Sequence, residues 1–321
     1  MRIRKGGGQA RAASRAAQSS AFVSAAVVAA LLVVVGIVAC GGNAASAPTA
    51  TVTAGGSPSA VPASTPATSP PPSVVAAMSL RVYFLRPIGG SQPARGPFIA
   101  AAARNMPATP APAAAAMRAL LAGPVARERA IGMTTMIPTG TTLRGLTIAG
   151  GVATVDLSGT FAAPGGELST MGRLAEVVYT LTQFPSVSKG VVCKVDGKSA
   201  VAVFGSHGTA LGHAQQRSDF ESLTSPIFVD SPAAFDVVQG TLRASGTADV
   251  FEATFRARLV RGAAQDTTTV TATSGSGTRG KFSFNANVQS AARSGSLVVW
   301  DPSAQDGSPL HTVTIPLTFA P

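Results

Sequence analysis

The sequence of 321 residues is poor in the residues that carry most protein chemistry. It has two cysteines, one tryptophan, two tyrosines and three histidines, and only 12% of its residues are charged. With so few aromatic platforms, sugar-stacking sites are scarce. If Cys40 is consumed by a modification, no disulfide partner remains for Cys193, so the fold must stand without disulfides even outside the cytoplasm. Acids are absent ahead of residue 40, where Arg2, Arg4, Lys5, Arg11 and Arg15 precede an apolar run. Setting those five aside leaves 20 basic against 14 acidic residues, so the formal net charge of +11 is partly a leader property. Residues 78–205 carry 12 basic and 5 acidic residues, and residues 217–321 carry 8 and 9. No like-charge block or aromatic–basic interleaving suggests a nucleic-acid groove.

Residues 21–39 are apolar apart from Ser24 and follow a basic segment, the pattern of an export signal. Ile37-Val38-Ala39-Cys40-Gly41 resembles a lipobox. That resemblance implies diacylglyceryl transfer to the Cys40 thiol and cleavage before it. The run is also long enough to remain as an uncleaved anchor. Either way the remainder is expected at the outer face of the plasma membrane, because the flanking positive charges stay cytoplasmic. Residues 1–39 are thus read as a lipoprotein signal peptide and 40–77 as a disordered Pro/Ala/Ser/Thr tether. Gly41 to Ala77 holds no charge and no aromatic, so it cannot bury enough apolar surface to offset chain entropy. As a coil it reaches roughly 35 Å.

Residues 78–206 read as an α+β domain, a sheet with helices on one face. Leu80–Leu85 is a strand, and Gly89–Pro110, with prolines at 93, 97, 107 and 110, is loop-like. Pro112 opens a helix over Ala113–Ala122, stopped by Gly123-Pro124. Thr142–Ile148 and Gly151–Ser158 form a hairpin at Gly150-Gly151. Leu168, Met171, Leu174, Ala175, Val178 and Leu181 recur at helical spacing up to Pro185. Gly190–Val195 and Ala200–Phe204 are expected as strands about the Asp196-Gly197 turn. Leu120-Leu121-Ala122-Gly123-Pro124, Ile137-Pro138-Thr139-Gly140-Thr141, Val155-Asp156-Leu157-Ser158 and Thr180-Leu181-Thr182-Gln183-Phe184-Pro185 together resemble the GerMN domain. The resemblance implies an extracytoplasmic, non-catalytic assembly module, similar in fold to ring-building envelope domains.

Residues 217–321 lack helical periodicity and read as an all-β immunoglobulin-like sandwich of about seven strands. Phe251, Ala253, Phe255, Ala257 and Leu259 alternate with polar residues, as do Phe282, Phe284, Ala286 and Val288. Leu297–Trp300 is a more fully buried run, and Asp306-Gly307 a turn. Ser231-Pro232, Val238-Gln239-Gly240, Phe251-Glu252-Ala253-Thr254-Phe255 and Gly280-Lys281-Phe282 resemble Gmad2, an immunoglobulin-like domain that accompanies GerMN.

No catalytic constellation stands out, and no enzyme, cofactor or metal is expected. Gly275-Ser276-Gly277-Thr278-Arg279-Gly280 satisfies a dinucleotide pattern, but an alternating strand follows where a helix should. His207, His213 and His311 lack ligand spacing. Cys193 alternates with Val191 and Val195 as a small core residue. Asp156 is expected to serve a turn or cap, and Glu176 to be a solvated helix residue. Cys40 is the one residue with assignable chemistry. The function expected is a lipid-anchored scaffold with an envelope protein partner or self-association, linked to sporulation, germination or wall maintenance, and no nucleic-acid partner. The alternative is a glycan- or small-ligand-binding lipoprotein beside a transporter or sensor.

Overall fold

The structure is a computed structural model that describes residues 76–90, 95–204, 213–288 and 292–320. Cys40, the export signal and nearly all of the tether lie outside the described residues.

The first region is α+β. β1 (Ala77–Ile88) pairs antiparallel with β2 (Arg95–Pro107), placing Tyr83 opposite Ala101 and Leu85 opposite Ile99. The expected loop over Gly89–Pro110 is therefore largely a strand. Its prolines fall at the strand's ends, Pro97 after a cis peptide and Pro107 as the last residue, which leaves Phe98–Met106 free to pair. Ala101, Ala102 and Ala103 are buried there, so tertiary packing overrides the weak strand preference of alanine. Then follow α1 (Pro112–Leu121), with proline at its first turn, and α2 (Ala126–Ala130). β3 (Leu143–Ala149) and β4 (Val152–Leu157) form the expected hairpin. Gly150 and Gly151 both adopt positive φ, 58° and 89°, which suits a turn whose twist matches the strands. α3 (Glu167–Leu181) carries the chain from β4 to its parallel neighbour β5 (Gly190–Val195), as a parallel pair requires.

Two details differ from expectation. Leu168 is 52% exposed, because the apolar stripe of α3 begins a turn later. Only Lys198–Ser199 pair with β5, as β6, and Ala200–Phe204 then coil into α4. The strands divide into a two-stranded sheet, β1-β2, and a four-stranded sheet, β3-β4-β5-β6.

Among the described residues, the second region is an all-β sandwich of eight strands. They are β7 (Ile227–Ser231), β8 (Val237–Val238), β9 (Thr241–Ala248), β10 (Thr254–Arg261), β11 (Ala264–Thr271), β12 (Gly280–Asn287), β13 (Ser294–Pro302) and β14 (Pro309–Phe319). One sheet runs β11-β10-β13-β14-β8 and the other β12-β9-β7. Phe255, Ala257 and Leu259 are buried as the alternation requires. Phe251 is not part of the strand. It stands 64% exposed in a 3-10 turn where Glu252 and Ala253 adopt positive φ, so pairing begins only at Thr254. Leu297 and Val299 are buried while Val298 and Trp300 are half-buried, so β13 alternates rather than burying both faces. Gly246 on β9 is demanded by packing: a Cβ there would strike the Phe228 carbonyl and the Phe282 ring.

The two regions share a single apolar core. Leu120 and Val178 from the first and Phe228 and Phe282 from the second belong to one continuous cluster.

Candidate functional site at the domain junction

The junction is built around Arg217, the first residue of a 3-10 helix, Arg217–Leu223, that leads into the sandwich. Its Nε donates to Thr182 Oγ1 (2.8 Å), its Nη1 to Asp230 Oδ1 (3.1 Å) and its Nη2 to the Tyr83 hydroxyl (3.2 Å) and the Tyr179 carbonyl (3.3 Å). The guanidinium also lies 5.2 Å from the Tyr83 ring centre and 4.7 Å from that of Tyr179. One side chain therefore ties β1, the end of α3 and β7 together. Only the planar fork of arginine can make these bonds while stacking on two rings.

Tyr83 donates to Asp230 Oδ1 at 2.6 Å. Burial, then the Asp230 carboxylate, push its phenol well above the usual range, so it stays a donor at any physiological pH. Burial opposes the charge on Arg217, but the Tyr83 and Asp230 oxygens outweigh it and raise the guanidinium further. Tyr179 bonds Thr224 Oγ1 at 2.6 Å and meets Phe228 edge-on at 5.4 Å. These are the chain's two tyrosines, and both sit at the junction. That scarcity was the available sequence signal; nothing else in the pattern marked Tyr83, Tyr179, Arg217 or Asp230.

Backbone pairing adds to the joint. Ala103 N–H donates to the Ala234 carbonyl (2.8 Å) and Ala234 N–H to that of Ala101 (2.9 Å), so β2 meets the segment after β7. Gly89 and Thr312 exchange two bonds (3.0 and 2.7 Å), joining the end of β1 to β14. Arg86 Nη1 donates to the Thr314 carbonyl (2.7 Å), and the Arg127 guanidinium covers Phe235 at 4.7 Å.

The run Thr180 to Gln183, one of the stretches that resemble GerMN, has its structural role here. Thr180 Oγ1 accepts from Tyr83 N–H at 3.2 Å. Gln183 accepts from Arg81 N–H (2.9 Å) and donates to the Arg81 carbonyl (2.7 Å), acting as a strand partner for β1. With Thr182 under Arg217, Thr180 to Gln183 docks α3 to both β1 and the junction. Beside it lies a cleft of about 530 Å³ lined by Tyr179, Arg217, Phe228, Asp230, Arg279 and Lys281, among others. Two of its lining residues, Arg279 and Glu221, pair at 2.5 Å.

The other residues singled out by sequence are dispersed. Glu176 corrects the expectation of a solvated carboxylate: it is fully buried on α3. Its oxygens meet Thr135 Oγ1 (2.6 Å) and Met136 N–H (2.7 Å), pinning residues 135–136 to the helix. Burial pushes its carboxyl up to about 8. Its polar position was visible in the helix period, but the chain that folds over it was not. Asp156 Oδ1 accepts from Gly197 N–H at 2.9 Å and so holds the Asp196-Gly197 turn. Asp156 and Glu176 thus serve different segments. Cys193 is buried, which pushes its thiol up to about 12. His213 meets Asp219 at 3.0 Å and His311 meets Asp301 at 3.5 Å, while His207 lies outside the described residues. Gly275 to Gly280 connects β11 to β12. Among the described residues no cluster could hold a metal ion, and no helix is long and apolar enough to cross a membrane.

Residues 81–201 match the family Germane, described as sporulation and spore germination. Residues 226–308 match Gmad2, the immunoglobulin-like domain of bacterial spore germination. Among solved structures, the chain is similar to the first GerMN domain of the sporulation protein GerM from Bacillus subtilis, with 22% identity, 44% of this chain and 98% of that chain covered, and a TM-score of 0.36. It is similar to the tandem GerMN domains of the same protein at 16% identity, with 60% of each chain covered and a TM-score of 0.36. It is also similar to a candidate lipoprotein from Clostridium perfringens at 20% identity, 39% and 78% covered, with a TM-score of 0.26. No curated protein matches the chain.

Proposed function

Since the chain carries a Germane (GerMN) domain followed by a Gmad2 immunoglobulin-like domain, we propose that it is a lipid-anchored, non-catalytic assembly module of the cell envelope. It serves sporulation, germination or wall maintenance. The anchor is a lipid on Cys40, the location is the outer face of the plasma membrane, and the tether of residues 40–77 sets the working distance. The observation that carries the reading is the Arg217 junction. It welds two domains into one body through buried tyrosines, strand-like backbone pairing and a common core. A body of fixed shape suits a scaffold, because partners bound to either domain are then held in register. Arg217, Tyr83 and Asp230 bond one another at the junction, which suits a structural joint.

Crosslinking of the full chain in intact envelopes tests this. Recovery of a defined complex, with a protein partner or a second copy, is expected. Recovery of muropeptides alone supports a second reading, a glycan- or small-ligand-binding lipoprotein, which the cleft beside Tyr179 favours. The anchor is tested separately. Cys40→Ser should abolish metabolic lipid labelling and release the chain from membranes; continued labelling contradicts it.

A further inference from the structure

The outward face of the larger sheet carries Arg256 and Arg258 on β10. On β10 and its neighbours, the register aligns Arg256 with Trp300 and Thr269, and Arg258 with Val298 and Thr267. Arg256 Nη1 donates to Thr269 Oγ1 at 2.7 Å and Arg258 Nε to Thr267 Oγ1 at 3.1 Å. Arg258 also lies 4.9 Å from the centre of the Trp300 ring. Arg256 is thus held by a cross-strand hydroxyl, and Arg258 by a hydroxyl and a ring. The outward positions, alternating through 254–260, 265–271, 296–300 and 314–318, include no carboxylate. Asp266 falls on the opposite face, where it pairs with Arg261 at 2.5 Å. Residues 217–321 carry 8 basic and 9 acidic residues in all, so these two arginines, on a face whose outward positions hold no carboxylate, form a local positive stripe in a domain that is otherwise slightly acidic.

We propose that this face binds a linear, phosphate-bearing polyanion that lacks aromatic bases. The two arginines sit two residues apart on one strand, about 7 Å, so one extended chain can present phosphates to both at once. A guanidinium ordered by stacking keeps its remaining N–H edge for a phosphate and loses little freedom on binding. Flanking threonine hydroxyls supply further donors. The outer face of the only indole is covered by Arg258, so neither a sugar ring nor a base has an aromatic surface to stack on. Arg256 and Arg258 lie on β10, two strands away from β14, where the first domain meets this sheet, and the inference stands apart from the anchoring and scaffolding reading.

The probe is long-chain inorganic polyphosphate, titrated against the full chain in neutral detergent, with Trp300 emission as the local readout. Saturable binding is expected, with a change in that emission. Arg256→Gln with Arg258→Gln should weaken it at least tenfold and lower the slope of log affinity against log salt by about 1.4, from about 0.7 per phosphate contact. Arg256→Lys with Arg258→Lys should fall between the two, since charge remains but the fork and the stack are lost. Lys194→Gln with Lys198→Gln removes equal charge from the other domain and should leave affinity within twofold. Melting temperature confirms that each variant folds. Absence of binding, an equal loss in the lysine variant, stronger binding of single-stranded DNA, or binding only to anionic phospholipid vesicles would each overturn the proposal.

Discussion

Glu176 shows how much one buried carboxyl governs. Removed from water on α3, it accepts from Thr135 Oγ1 and from Met136 N–H, and burial favours its neutral form over those bonds. Its folded-state value of about 8 lies above the ordinary 4.5. Its contribution to stability is therefore fully present below pH 4.5 and is lost as pH rises through about 8. Melting temperature followed over that range should fall in the native chain. Glu176→Gln, which mimics the neutral acid, should flatten this part of the profile, so its melting temperature relative to the native chain should rise with pH. A parallel pair of curves would contradict the assignment. Cys193 offers a second residue-scale check. Its buried thiol should resist alkylation at pH 8 in the folded state and react at once on unfolding.

Among the elements, β10 separates what alternation decides from what it does not. Phe255→Ala removes a fully buried ring and should cost about 3–5 kcal/mol. Phe251→Ser, only four residues earlier in the same apparent stripe, should change stability by no more than about 0.5 kcal/mol, because that ring already faces solvent. Urea denaturation of the two variants gives the comparison directly. The same contrast explains how far the sequence could be read. Period-two and helical patterns located β4, β5, β10, β12, α1 and α3, because each of these buries one face. They failed at β2, whose alanines carry no strand signal and whose prolines suggested a loop. They failed again at α4, where five apolar residues fit a strand or a helix equally well. The junction was least legible. Arg217, Tyr83 and Asp230 are up to 147 residues apart in sequence, and nothing local to any of them announces the other two. The motif Thr180 to Gln183 could be recognised, but its purpose emerged only once β1 lay against it.

For the whole molecule, the consequence of a common core is cooperativity. A tether followed by two independent domains would give a flexible string; a welded pair gives one body with two faces, the cleft side and the Arg256–Arg258 sheet. Arg217→Ala leaves Asp230 and the Tyr83 hydroxyl without their cation and should destabilise the pair by about 2–3 kcal/mol. Lysine at that position should restore little of it, since it lacks the fork. The chain supplies its own reporters for the central claim: Cys193 sits in the first domain and Trp300, the only tryptophan, in the second. In the Cys40→Ser chain, unfolding by urea can be followed at once by thiol labelling of Cys193 and by Trp300 emission. A welded body requires the two curves to coincide, with one midpoint and one slope. Two separated transitions, with one domain surviving after the other has opened, would contradict it.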